Sequence, residues 1–306
     1  MHHGFDFLPR FIALAGFCLL TLGSSGYAAE SPDSKPNIVF IFTDDLGIND
    51  LGCYGRKDHR TPHIDRLAAE GTRFTDAYAA ASICSPTRAA LLTGLAPARV
   101  KITTFIPGRA DAPSQKLLQA KILTNLPSNL QTLPECLKAA GYATACIGKW
   151  HLGGKGSQPS DHGFDQFFPG KARTVPSDTE GSKGENLLTN RACQFIAEKK
   201  DQPFFLFLAH HTPHIPYAAR PDQIEANRTA HEPAYAAMME VMDASVGRVL
   251  AKLDELKLRE KTLVVFTSDN GGLHVPELNH QRITHCTPFR AGKGFLYEGG
   301  IRVPLI

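Results

Sequence analysis

The sequence predicts an α/β fold, with a mostly parallel central sheet and helices on both faces. Three observations predict it. Four short runs, at 37–43, 142–147, 203–209 and 263–267, are mostly apolar and rich in β-branched and aromatic residues, the pattern of strands covered on both sides. Segments with helical spacing lie between them, and such alternation gives a parallel sheet. Each run also stops at polar residues with chemical capability: Asp44-Asp45, Lys149 and His151, His214, and Asp269-Asn270. Ligands of open α/β sheets sit at the carboxyl ends of the strands, so these four ends are expected to converge on one crevice.

The elements follow in order. Arg10 precedes the apolar run Phe11 to Leu22, and Gly26-Tyr27-Ala28 supplies small residues before a cleavage point. Residues 1–28 read as an export signal and 29–35 as a leader, so an exported protein, periplasmic or secreted, is expected. The apolar run is too short to span a bilayer, and nothing later is longer. After the strand at 37–43, Thr61-Pro62 opens a helix that Gly71 closes, with Ile64, Leu67 and Ala68 on one face. In Cys84-Ser85-Pro86-Thr87-Arg88, Pro86 suits a first helical turn and Gly94 its end. That puts Cys84 at a helix N-terminus, where free N–H groups favour negative charge, with Arg88 one turn later.

Residues 95–130 give no element. Thr132-Leu133-Pro134-Glu135 has the spacing of a capping box for a helix to Ala140. Residues 152–185, rich in Gly, Ser, Pro and Lys, read as a surface excursion, and Thr189 as the cap of a helix through Lys199. Both irregular stretches are expected to wall a pocket. The longest helix runs from Pro233 to about Lys257, with Tyr235, Met238, Met239, Met242, Val246, Val249, Leu250 and Leu253 at helical spacing. A further buried strand is expected to begin at 302–306.

Bulk composition narrows the function classes. Hydrophobic residues make up 42% and charged residues 21%, as in a folded globular chain, and the net charge of +3 argues against nucleic acid as a partner. Seven cysteines occur, six after removal of Cys18 with the signal, and none has metal-type Cys-x-x-Cys spacing. Asn227-Arg228-Thr229 fits the N-glycosylation pattern.

Asp44, Asp45, Asp269 and Asn270 offer only oxygen donors, which suit a hard cation, Ca²⁺ better than Mg²⁺. Arg88, Lys149, His151, His214 and Lys293 form a cationic set in a nearly neutral chain. Beside a divalent cation they would bind a sulfate or phosphate ester and serve a leaving alcohol as proton donors. His210 and His211 are expected to be structural or supporting.

These residues carry a resemblance. Ser82 to Gly94 resembles the first signature of the type I sulfatases, and Gly141-Tyr142-Ala143-Thr144-Ala145-Cys146-Ile147-Gly148-Lys149-Trp150-His151 the second. Asp44-Asp45, His211-Thr212-Pro213-His214, Asp269-Asn270-Gly271-Gly272 and Gly292-Lys293-Gly294 follow in that family's order, from about Pro36 to Ile306. The resemblance implies an arylsulfatase-like hydrolase of the alkaline phosphatase superfamily, acting on a sulfated small molecule or carbohydrate. It implies conversion of Cys84 to formylglycine by a formylglycine-generating or sulfatase-maturating enzyme. Ca²⁺ would be held by Asp44, Asp45, Asp269 and Asn270 together with the modified residue 84. Arg88 would steady that residue and Lys149 and Lys293 would bind sulfate oxygens. His214 and Lys293 would protonate the leaving alcohol, and His151 would assist sulfate release.

Family members continue past Ile306 into a smaller C-terminal domain, so 36–306 is expected to be an incomplete catalytic domain, unstable and poorly active alone. Two other readings stand beside this one: a phosphodiester or phosphonate monoester hydrolase of the same superfamily, and a non-catalytic binding protein that kept the fold.

Overall fold

A computed structural model describes residues 35–172, 175–276 and 284–306. The expected export signal, Cys18 and all of the leader but Lys35 lie outside the described residues. In chain order the elements are β1 (Asn37–Asp44), α1 (Pro62–Glu70), α2 (Cys84–Thr93), α3 (Pro97–Val100), α4 (Leu133–Ala139), β2 (Ala143–Gly148), β3 (Gln166–Phe168), α5 (Glu185–Glu198), β4 (Phe204–Pro213), α6 (Pro221–Ala226), α7 (Pro233–Glu255), β5 (Thr262–Ser268) and α8 (Glu298–Ile301).

The five strands form one parallel sheet in the order β3-β2-β4-β1-β5. Successive side chains point to opposite faces, and both faces are covered. On one, α1, α5 and α7 pack onto Val39, Ile41, Ile147, Leu206 and Leu208. On the other, α2, α4 and their flanking loops cover Phe42, Cys146, Phe205 and Phe207. Each large apolar side chain fully buried this way contributes about 1.5–3 kcal/mol, which is why the strands read as unbroken apolar runs. The fold class expected from the sequence is the one observed.

Several elements differ from expectation for local reasons. α5 begins at Glu185, not at Thr189. Gly184 caps it in a left-handed conformation (φ 81°), and the Thr189 hydroxyl, already inside the helix, donates back to the Glu185 carbonyl at 2.5 Å. Thr61 does not cap α1 through its side chain. Its hydroxyl accepts from Gly52 N–H and donates to Asp65, while Asp243 of α7 accepts from the backbone N–H groups of His63 and Ile64 (3.2 and 2.8 Å).

The capping box at Thr132 is half made. Glu135 accepts from Thr132 N–H at 2.7 Å, but the Thr132 hydroxyl, with Glu135 and the His162 carbonyl both in reach (2.8 and 2.9 Å), donates its one hydrogen to one of these two. The stretch 152–185 is more than a surface excursion, since it supplies edge strand β3 and buries His162, Lys183 and Glu185. Residues 302–306 form no continuous strand, although Ile306 and Phe266 exchange two backbone hydrogen bonds at 2.9 and 3.0 Å, antiparallel to β5. No described helix is long and apolar enough to cross a membrane.

Candidate active site

The carboxyl ends of β1, β2, β4 and β5 meet at one edge of the sheet, and all ten residues singled out from the sequence lie there. Asp44 ends β1, and Asp45 follows in a left-handed conformation (φ 69°) that turns the chain out of the strand. A non-glycine residue is strained there by ~1–3 kcal/mol, and the turn persists because its neighbours hold it. Asp45 N–H donates to Asp269 Oδ1 (3.1 Å), and Asn270 Nδ2 donates to Asp45 Oδ1 (2.8 Å). The ends of the neighbouring strands β1 and β5 are thereby tied into one acidic floor.

β2 leaves the sheet through Gly148, where a Cβ would collide with the Ala209 carbonyl on β4, so only glycine fits. The chain then presents Lys149 and, in a second left-handed residue, His151 (φ 58°). Lys149 Nζ donates to Asp44 Oδ2 at 2.6 Å. The loop carrying Lys293 is fastened by two backbone bonds, Lys293 N–H to Gly272 O and Gly294 N–H to Ser82 O (2.9 and 2.8 Å). From it, Lys293 Nζ reaches Asp45 Oδ2 at 2.7 Å and His214 Nε2 at 3.2 Å.

Cys84 is the first residue of α2, with Pro86 in the first turn and Gly94 closing the helix in a left-handed conformation (φ 69°). Arg88, fully buried, lies with its guanidinium over the Phe42 ring and donates Nε–H and Nη2–H to Asp269 Oδ2 (3.0 and 2.8 Å) and Nη1–H to the Lys149 carbonyl (2.9 Å). Ser85 ties three segments together, donating to the His151 carbonyl and accepting from Ile106 N–H.

The electrostatics follow from burial and these pairs. Burial alone would raise the Asp44 carboxyl, but Lys149, His214 and Arg88 outweigh it and hold it well below the usual range. Asp45 is held down against the same penalty by Lys293 and His214. Asp269 goes the other way, pushed up to about 7 by burial and by the neighbouring Asp44 charge. Burial would lower both site lysines, but Asp44 raises Lys149 and Asp45 raises Lys293.

The sequence led us to expect a Cys84 environment favouring negative charge. The structure reverses this: burial pushes the thiol up to about 11, and three carboxylates oppose its ionisation. Arg88 gives Cys84 little help because Asp269 occupies its guanidinium.

The two histidines differ in their partners. His214 Nδ1 donates to the Ile215 carbonyl at 2.6 Å, and its Nε2 faces Lys293 Nζ. His151 Nε2 in turn donates to the Ile106 carbonyl at 2.8 Å, leaving Nδ1 buried, unprotonated and without a partner among the described residues. Burial and Lys149 lower the His151 imidazolium to about 4.

A metal fits this donor set. Asp44, Cys84 and Asp269 present ligand atoms within 4.8 Å of one another, as do Asp44, Asp45 and His214. Asp44 Oδ1 and Asn270 Oδ1 are buried with no hydrogen-bond partner among the described residues, which a native structure rarely tolerates. Oxygen donors aligned this way suit a hard divalent cation.

Two cavities open onto the centre and share His151 and His214 as walls. One, of about 450 Å³, also takes in Asp44, Lys149, Lys183 and His211. The other, of about 640 Å³, takes in Cys84, Phe105, Arg109 and Lys293. Lys183, Phe105 and Arg109 were not singled out from the sequence. They lie in stretches without periodicity, and only the expectation that 95–130 and 152–185 wall a pocket pointed to them. Lys183 is buried, lowered to about 8 by that burial, and donates to the His214 and Ile215 carbonyls (2.5 and 3.2 Å). His211 borders a cavity, closer to the centre than expected, while His210 is wholly buried beside Ser245. All six described cysteines are free.

Comparison with known proteins agrees with this geometry. A family model described as Sulfatase matches residues 36–306. Canine N-acetylgalactosamine-6-sulfatase is 36% identical over 321 residues, covering 94% of this chain and 60% of the relative. Human arylsulfatase A is 37% identical over 331 residues, covering 94% and 61%. The crystal structure of Ps i-CgsB in complex with k-i-k-neocarrahexaose superposes with a TM-score of 0.76 and 31% identity, over 89% of this chain and 65% of that one. The chain thus spans about three-fifths of the length of the curated relatives it matches. With the family model matching from 36 to 306 and relatives above 30% identity over nearly all of that span, the chain belongs to the sulfatase family of the alkaline phosphatase superfamily.

Proposed function

We propose that this chain carries the catalytic centre of an arylsulfatase-like sulfuric ester hydrolase, acting on a sulfated carbohydrate or small molecule. The observation that carries the reading is the joining of Asp44-Asp45 to Asp269-Asn270 beside Cys84, with Lys149 and Lys293 bonded to two of the carboxylates. Asp44, Asp45, Asp269 and Asn270, with residue 84, are the groups that would hold Ca²⁺. When bound, Ca²⁺ would supply Lewis-acid charge to a sulfate oxygen. Formylglycine made from Cys84 by a maturating enzyme would supply a hydroxyl nucleophile, which a buried thiol raised to about 11 does not.

The chain's own residues then have distinct roles. Lys149 and Lys293 are the ammonium groups that bind the non-bridging sulfate oxygens and oppose the charge that builds on them. Lys293 and His214, 3.2 Å apart, form the pair that delivers a proton to the departing alcohol oxygen. His151 keeps an unprotonated Nδ1 at neutral pH and would be the base that takes up a proton at sulfate release once residue 84 is formylglycine. Arg88 holds Asp269 in place and keeps the floor of the site rigid.

The reading extends to the chain's export, on the pattern of residues 10–28, and to residues 36–306 as the catalytic portion. The experiment is co-expression with a maturating enzyme, mass spectrometry of the peptide holding Cys84, and turnover of nitrophenyl sulfate against nitrophenyl phosphonate. Expected are a formylglycine mass and faster sulfate turnover, lost in Cys84→Ala. A calcium-dependent rise in melting temperature, abolished in Asp45→Asn, is expected even without turnover. Faster phosphonate turnover would favour the phosphonate hydrolase instead. An unmodified thiol in every preparation would favour a binding protein.

A further inference from the structure

The larger cavity holds more than a sulfate group, since volumes of ~300–1,000 Å³ accommodate drug-sized ligands and this one measures about 640 Å³. Beyond Cys84 its walls are Ile83, Phe105, Val275 and Phe295, with Arg109 and Lys293 as its cations, and no Asp or Glu lines it among the described residues. The two cations differ in commitment. Lys293 is bonded to Asp45 and His214, whereas Arg109 makes no ion pair among the described residues. Its guanidinium instead lies over the Phe105 ring, 5.6 Å from the centroid. Stacking fixes the plane of a guanidinium while leaving its N–H edge free to fork onto a carboxylate or sulfate. Phe105 and Phe295 give the same cavity apolar faces suited to the C–H face of a sugar ring.

We propose that Arg109, stacked on Phe105, forms a second anion subsite, and that the substrate is a carbohydrate sulfate ester bearing a further sulfate or carboxylate. The inference rests on the reading of the centre as a sulfate-ester site. It adds that the part of the substrate not undergoing cleavage is itself anionic.

The test is calorimetric titration of the full chain with a galactose monosulfate and a galactose disulfate. The wild type is expected to bind the disulfate about tenfold tighter, the scale of one charge-assisted hydrogen bond. Arg109→Ala should erase that preference and Arg109→Lys should keep part of it, because charge survives without the fork. Because Arg109 is exposed, neither substitution threatens the fold, and matching melting temperatures check this. Equal affinities in the wild type, a preference that survives in Arg109→Ala, or no binding of either sugar would each overturn the subsite. Nitrophenyl sulfate, which has no second anion, separates the two readings. Turnover without an Arg109-dependent preference removes the subsite alone. A preference without turnover, in a chain whose residue 84 is formylglycine by mass, counts against the hydrolase reading and leaves the subsite.

Discussion

Cys84 is a neutral thiol because its surroundings are built for a different group. A helix N-terminus and a nearby arginine lower a thiol pKa in water, but here burial and Asp269, Asp44 and Asp45 oppose ionisation. Arg88 is spent on Asp269, and that pair is the residue-scale feature most exposed to mutation. Removing one partner of a buried, hydrogen-bonded ion pair costs ~3–5 kcal/mol, because it strands the other charge. Arg88→Ala is therefore expected to lower the unfolding free energy of the unmodified chain by about that amount, read from urea midpoints at constant m-value. The double variant Arg88→Ala/Asp269→Asn should recover a substantial part of the loss. At this scale the sequence was informative about residue types but not about their charge states. Asp44 and Asp269 are both buried aspartates at strand ends, yet one is held low and the other raised to about 7. The difference lies in which cations reach each carboxylate across the sheet, and no local pattern contains that.

At the scale of elements, α1 is held by its partner rather than by its own cap. Asp243, about three turns into α7, accepts the amides of His63 and Ile64 in place of Thr61. Asp243→Ala should cost about 1–2 kcal/mol, the usual loss on deleting a helix cap. Thr61→Val, which removes a hydroxyl spent on Gly52 and Asp65, should act through the 52–65 turn instead. Hydrogen exchange resolves the two, with faster exchange at His63 and Ile64 only in the first variant. The long elements were legible because length and apolar content agree: the strands of Asn37–Asp44 and Phe204–Pro213 and the helix of Pro233–Glu255 bury apolar faces along their length, and Thr262–Ser268, an edge strand, is buried over its second half. The start of α5 was not, since Gly184 and Glu185 lie in a polar stretch whose turn is held by a local bond from Lys183 N–H to Glu185 and by Lys183 Nζ on the distant His214 carbonyl. Edge strand β3 has only three residues, too short for any periodicity to register.

At the scale of the molecule, the parallel sheet sets both the site and its acid sensitivity. His210 and His211, near the end of β4, and His151, beyond β2, are lowered by burial to about 3, 4 and 4. Their folded values lie below the unfolded value of about 6.5, so the native state binds fewer protons between those limits. The stability they contribute is complete above about pH 6.5 and is lost as pH falls toward 4. The slope is at most about 1.4 kcal/mol per pH unit for each histidine. Unfolding free energies at pH 7 and pH 5 should therefore differ more in the wild type than in His210→Leu, which removes one of the three. What the sequence determined by itself was the alternation of apolar strands and amphipathic helices, the family signatures around Cys84 and Lys149, and the polar residues at each strand end. These are local quantities, fixed by side-chain type and spacing. Tertiary structure alone decided which carboxylate pairs with which cation, that Lys183 supports His214, and that Arg109, with no ion pair among the described residues, opens into the cavity. Those depend on the order β3-β2-β4-β1-β5, which makes neighbours of strands more than two hundred residues apart, and distance along a chain says nothing about distance across a sheet.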